Sequence, residues 1–250
     1  MSFVRRFQVL CLALALSWGA AVQAAELQIL AGGGIAASLR ELAAAFESAT
    51  GHKLVIRFGT TPELIKMAAT GGPFDLAVVP VDVMKDAATR ARFAPGETGI
   101  ARVGLGVAVR AGAPRPDIRT PEALKQTLLE ARSIASIPES ATGYLLARIF
   151  ERLGITEEMK ARIKPQPTPA RIVESVAKGE TDLGVFLTNV LTAPGVDVVG
   201  PFPPELQLEV VYTAAVAAST KEAEAAKAFI AYLTTPGAAA VFRVKGMNPG

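Results

Sequence analysis

The sequence predicts an α/β protein built as two doubly wound lobes joined by two crossing strands. Three observations carry that prediction. From residue 27 onward, short apolar runs alternate with longer runs of helical spacing. Helix-start signals, either Thr-Pro or clusters of small hydroxyl residues, follow several of the apolar runs directly. Two long apolar runs, near 101–110 and 207–217, interrupt the alternation and read as strands passing between lobes.

The first residues stand apart from the fold. Arg5 and Arg6 precede the apolar stretch FQVLCLALALSWGAA, and Val22-Gln23-Ala24 supplies small residues where a signal peptidase reads. Residues 1–24 therefore read as a secretory signal peptide, and the remaining chain as a periplasmic protein. The Arg5-Arg6 pair leaves twin-arginine export open. Cys11 follows Leu10 rather than a small residue, so it reads as part of the discarded segment and not as a lipid anchor. Cleavage after Ala24 leaves 226 residues with no cysteine, which excludes disulfides, thiolate metal sites and a cysteine nucleophile. It also takes Lys plus Arg from 26 to 24 against 23 Asp plus Glu, with no basic run, so nucleic acid is not expected as a partner. No later apolar run is long enough to span a bilayer.

The elements follow in order. LQILA (27–31) reads as a buried strand. ASLRELAAAFESAT (37–50) places Leu39, Leu42, Ala43 and Phe46 at helical spacing, with Gly51 as the stop. KLVIRFG (53–59) is a second strand. TPELIKMAATGG (61–72) is a helix with Thr61 as N-cap and Pro62 at the first position. FDLAVVP (74–80) is a third strand, and this alternation implies parallel pairing with right-handed crossovers. The long run ARVGLGVAVRAG (101–112) has no comparable helix before it, so a new unit begins after it. TPEALKQTLLEA (120–131) is a helix capped by Thr120, SIASIP (133–138) a strand, and SATGYLLARIFERLG (140–154) a helix opened by small polar residues. TPARIVESVAKGE (168–180) repeats the Thr-Pro start, and DLGVFLT (182–188) is a buried strand. Pro and Gly cluster at 194–204 as a loop. LQLEVVYTAAVAA (206–218) is the second long strand, and one or two helices close the chain and return to the first lobe. One lobe then holds residues 25–105 with 213–250 and the other 106–212, each of ordinary domain size.

Most enzyme classes can be tested by counting. The sole histidine, His52, reads as a surface residue at a helix end, and no Gly-x-Ser-x-Gly elbow accompanies it. One histidine and no cysteine build no zinc site, so neither metal nor cofactor is expected. AGGGIAA loosely matches a dinucleotide fingerprint, but no acid stands at the end of the second strand, where Phe58-Gly59 lies. An exported enzyme would have to use carboxylates such as Asp75 and Asp82, which read equally well as caps or surface groups.

The helix starts point elsewhere. Gly32–Gly34, Thr60-Thr61, Ser140-Ala141-Thr142-Gly143 and Thr168-Pro169 each open a helix. Helix N-termini present unpaired N–H donors at the positive end of the dipole. In open parallel sheets such turns lie at the carboxyl ends of strands, where ligands bind. Any one of them is an ordinary cap. Four of them, in two lobes, would hold an anion without a buried Lys or Arg.

With those residues in view, the chain resembles the periplasmic molybdate-binding proteins of ABC importers, within the type 2 periplasmic binding protein fold. The resemblance spans the mature chain through LQILAGGGIAASLRELAAAFESATGHKLVIRFGTTPELIKMAATGGPFDLAVVPVDVM, GLGVAVRAGAP, IPESATGY, VAKGETDLGVFL and AFIAYLTTPGAAAVFRVKGM. It implies a non-enzymatic, monomeric receptor that binds molybdate, tungstate or a related anion between its lobes and hands it to an ABC importer permease.

It also implies a ligand set of Gly33, Gly34, Thr60, Thr61, Ser140, Thr142, Gly143, Ala170, Arg171 and Leu187. The family usually has a serine at Gly34, where only the backbone N–H remains. A serine cluster falls on Thr60, Thr61 and Pro62, and a backbone donor on Thr142. Another donor falls on Pro169, which has no N–H, so Ala170 or Arg171 must substitute. A tyrosine falls on Leu187. Each lost hydrogen bond to a charged ligand costs about 1.5–3 kcal/mol, and two or three lost bonds weaken binding roughly a thousandfold or more. The fold and transport class therefore carry over better than molybdate itself. The glycines leave room for a larger anion such as an organic acid, which Arg171 would pair bidentately if it faced the cleft.

Overall fold

A computed structural model describes residues 24–70 and 72–250. The expected signal peptide falls on residues 1–24, and all but Ala24 of it lies outside the described residues.

The first unit is β1 (Glu26–Gly32), a 3₁₀ turn (Gly33–Ile35), α1 (Ala36–Thr50), β2 (Lys53–Gly59), α2 (Thr61–Ala69) and β3 (Leu76–Pro80). As expected, β1 pairs in parallel with both β2 and β3. Helix α1 turns its predicted apolar stripe inward and ends at Gly51, whose φ of 77° is the left-handed stop that favours glycine. The N-cap of α2 is Thr60, one residue before the expected Thr61. Two short helices, α3 (Val81–Lys85) and α4 (Ala87–Arg90), follow, each too short to show periodicity in sequence.

Strand β4 (Thr98–Arg110) is the longest and changes partners along its length. Residues 98–104 pair with β9 (Glu209–Val216), and 105–108 pair with β7 (Leu183–Leu187). The expected loop at 194–204 instead contains β8 (Val196–Pro201), antiparallel to β4. Gly195 turns the chain at a φ of 87°, and Pro201, which cannot donate, ends the strand. The second half holds α5 (Pro121–Glu130), β5 (Ile134–Ser136), α6 (Ala141–Leu153), α7 (Thr156–Arg162), β6 (Ile163–Pro165), α8 (Pro169–Ala177) and α9 (Thr188–Leu191). Thr120, Ser140 and Thr168 cap α5, α6 and α8 as the sequence predicts.

The strands form one curled sheet in the order β2-β1-β3-β9-β4-β7-β5-β6, with β8 and β10 (Asn248–Pro249) also against β4. The closing helices α10 (Ala223–Leu233) and α11 (Pro236–Val244) return to the first unit. There the Phe229 ring centroid lies 5.0 Å from that of Phe46, and Lys245 Nζ pairs with Glu41 at 2.8 Å. No single helix among the described residues is long and apolar enough to cross a membrane.

His52 is not on the surface. It is 4% exposed, stacks on Phe46 with centroids 5.7 Å apart, and accepts the Ala25 N–H at Nδ1 over 3.0 Å. The apolar ring and the arriving N-terminal strand bury it, which a local reading does not see.

Candidate functional site

Parallel pairing brings the carboxyl ends of β1 and β2 level, with Gly32 opposite Gly59. The turns that follow these strands face those opening α6 and α8 across a cavity of about 720 Å³. That volume lies within the range of small-molecule pockets. Of the ten residues expected to meet a ligand, Gly33, Gly34, Thr60, Thr61, Ser140, Thr142, Ala170 and Leu187 line this cavity. Gly143 and Arg171 do not.

Gly143 supports the wall from behind. Its N–H donates to Ser140 Oγ over 3.0 Å, and that hydroxyl donates to the Ile137 carbonyl over 2.7 Å. A Cβ on Gly143 would overlap the Ile137 and Pro138 carbonyls. Only glycine lets this turn fold back so closely. Arg171 points outward, where it pairs with Glu174 at 2.6 Å and Glu180 at 3.3 Å. Lys178 and then Arg171 hold the exposed Glu174 carboxyl down at about 2. The expected bidentate grip of Arg171 on a bound anion is therefore not what the geometry provides.

The expected donors differ in how they are already used. The Thr60 N–H and hydroxyl both donate to Glu63 Oε2, over 2.7 and 2.9 Å. This is the arm of a Thr-x-x-Glu capping box, in which the chain's own carboxylate satisfies the helix start. The Ala141 N–H donates across the cleft to Thr61 Oγ1 over 3.0 Å. By contrast, the N–H and hydroxyl of Thr142 and the N–H of Ala170 take no protein partner among the described residues. These donors, at the second positions of α6 and α8, face the cavity with the positive end of each dipole behind them.

Among the cavity residues that sequence reading missed are Arg40, Asn189 and Tyr212. Arg40 on α1 is the only Lys or Arg that lines the cavity among the described residues. It lies one turn after Ala36 and Ala37, which share that face. Its guanidinium sits 4.6 Å over the Phe58 ring and has no carboxylate partner among the described residues. Asn189 donates from Nδ2 to the Gly34 carbonyl over 2.8 Å, while its buried Oδ1 has no partner. Tyr212 comes from β9, a run that read only as a long apolar strand. It is 2% exposed and lines the cavity, and its hydroxyl makes no hydrogen bond among the described residues. Burial pushes its phenol further above an ordinary value that already keeps it an O–H donor at neutral pH.

The tyrosine explains two of the three glycines, Gly32 and Gly34. A Cβ on Gly34 would overlap the Tyr212 hydroxyl and lie 2.6 Å from Leu187 Cδ1. A Cβ on Gly32 would lie 2.8 Å from Tyr212 Cε1. The turn is bare because an aromatic side chain lies over it.

Other chemistry is placed elsewhere. Asp75 accepts the Gln28 N–H at 2.7 Å and the Thr220 hydroxyl at 2.6 Å, so it holds β1 and the turn after β9 in place. Asp82 is exposed in α3, and neither carboxylate lines the cavity. Among the described residues no three His, Cys, Asp or Glu side chains gather as a metal-holding group.

Residues 27–248 match the family described as bacterial extracellular solute-binding protein. An aconitate isomerase from Pseudomonas sp is 36% identical, the match covering 92% of this chain and 90% of that protein. The molybdate-binding protein ModA of Azotobacter vinelandii is 26% identical, over 90% of this chain and 91% of its own. In structure, the periplasmic molybdate-binding protein of the same organism superposes with a TM-score of 0.74 at 22% identity, covering 88% of this chain and 98% of that one. That likeness shows the expected type 2 periplasmic binding protein fold.

Proposed function

The chain belongs to the bacterial extracellular solute-binding protein family, and from that premise we propose that it is an exported receptor for a small organic anion bearing two or more carboxylates. The observation that carries this reading is Arg40. A guanidinium with no carboxylate partner among the described residues lines the same cavity as the Thr142 and Ala170 donors. A fork of N–H groups suits a carboxylate, and dipole-backed N–H groups at the far wall suit a second one. Molybdate or tungstate is the weaker fit, because the Thr60 donors on which a compact tetrahedral dianion would draw already hold Glu63. Delivery to an ABC importer permease follows from the family, and closure would turn about β4, with 25–105 and 213–250 on one side and 106–212 on the other.

A second reading is an exported isomerase of such an acid. It is favoured by the relative named aconitate isomerase and by a neutral phenol and a carboxylate, Tyr212 and Glu63, that line one cavity. Proton transfer needs groups of these kinds within reach of the ligand.

Calorimetry and thermal shift with citrate, tricarballylate, trans-aconitate, molybdate, tungstate and sulfate test the first reading. A polycarboxylate at a hundred times its dissociation constant should add about 2.7 kcal/mol of stability. Arg40→Gln should weaken that binding about tenfold. Stabilisation by molybdate with none by the carboxylates overturns the proposal. Proton NMR of trans-aconitate incubated with catalytic amounts of protein separates the second reading, which requires turnover.

A further inference from the structure

We propose that Tyr212 is the specificity-determining residue of this cavity, its hydroxyl donating a hydrogen bond to a carboxylate oxygen of the bound anion. The inference rests on the carboxylate reading of the site and names the contact that reading lacks. Tyr212 is 2% exposed, yet its hydroxyl meets no acceptor among the described residues and its ring lines the cavity. The hydroxyl is not one of the fully buried unpaired polar atoms among the described residues, so it opens onto the cavity, where an acceptor on a ligand can meet it.

The surroundings fit a ligand contact better than a core role. The backbone has been cleared for the hydroxyl: any side chain on Gly34 would occupy its place. Leu187 packs beside it and brings no acceptor of its own. Asn189 turns its Nδ2 to the Gly34 carbonyl, which occupies that acceptor, and its buried Oδ1 has no partner among the described residues. A phenol is protonated at neutral pH at its ordinary value, and burial disfavours the phenolate further. A neutral donor aimed at an anion selects for an oxygen acceptor without repelling a second negative charge.

The test compares wild-type protein with Tyr212→Phe, which deletes the hydroxyl and keeps the ring. The probes are citrate, tricarballylate, trans-aconitate and molybdate, read by calorimetry, alongside the melting temperature of the ligand-free protein. We expect a polycarboxylate to bind Tyr212→Phe roughly ten- to a hundredfold more weakly. The ligand-free melting temperature should hold, since the hydroxyl makes no hydrogen bond among the described residues. A loss of affinity at unchanged ligand-free stability does not arise from a packing role. Affinity within twofold of wild type overturns the inference and leaves the carboxylate reading standing. A matching drop in ligand-free stability also overturns it, by making Tyr212 structural. If no polycarboxylate binds the wild-type protein, the reading beneath it fails and takes it down.

Discussion

The turns opening α2 and α6 look alike in sequence: a hydroxyl residue, a short turn, then a helix. They end in different states. At the α2 start, Thr60 gives its N–H and hydroxyl to Glu63 three residues on. At the α6 start, the residue three positions after Ser140 is Gly143, which has no side chain to offer. Ser140 caps Gly143, and Thr142 keeps its donors for the cavity. The difference teaches that a helix N-terminus is open or shut according to the third residue beyond its cap. An acid there is an internal anion.

The sharpest way to break this comparison is Gly143→Ala. Its Cβ would meet backbone carbonyls that cannot swing aside, so we expect a loss of about 3 kcal/mol in urea unfolding. Wild-type stability would show that the turn is looser than described. Next comes Thr142→Val, which removes one cavity-facing hydroxyl at constant shape. Polycarboxylate affinity measured by calorimetry should fall about tenfold. An unchanged constant would mean that the α6 start is as shut as the α2 start. Glu63→Ala opens the shut one. It should cost about 1 kcal/mol of stability through the lost cap, and molybdate binding should strengthen as the Thr60 donors come free. A molybdate affinity no higher than wild type would contradict the blocking role of Glu63. Arg171→Ala should change least, with ligand affinity equal to wild type, because Arg171 faces solvent with Glu174 and Glu180. The Glu174 carboxyl is held low, so its ion pairs contribute above the ordinary carboxylate range and fade as the pH falls toward 2. Melting temperatures of Arg171→Ala and wild type should therefore converge in acid. A gap that persists at pH 2 would assign Arg171 some other role.

Local chemistry made the framework legible. Thr-Pro starts, a left-handed Gly51 and apolar stripes are all written within a few neighbouring residues, and they placed β1 through β3, α5, α6 and α8. Strand β8 was hidden because its Pro and Gly residues read as a loop, while the pairing that makes it a strand comes from β4, about ninety residues earlier. His52 looked exposed for the same reason: Ala25 and Phe46 bury it. The convergence of the candidate turns could be expected from strand order. Arg40 and Tyr212 could not, since a lone arginine on a helix and a tyrosine in an apolar strand acquire meaning only when a cavity lies beside them. Arg171 was the reverse case, a residue of suitable chemistry carried to the outside by the rotation of its helix.

Two hydrogen bonds tie the walls of the cleft directly, from Ala141 to Thr61 and from Asn189 to Gly34. Any parting of those walls must break both bonds, so clipping the Asn189 amide would make the cleft easier to open.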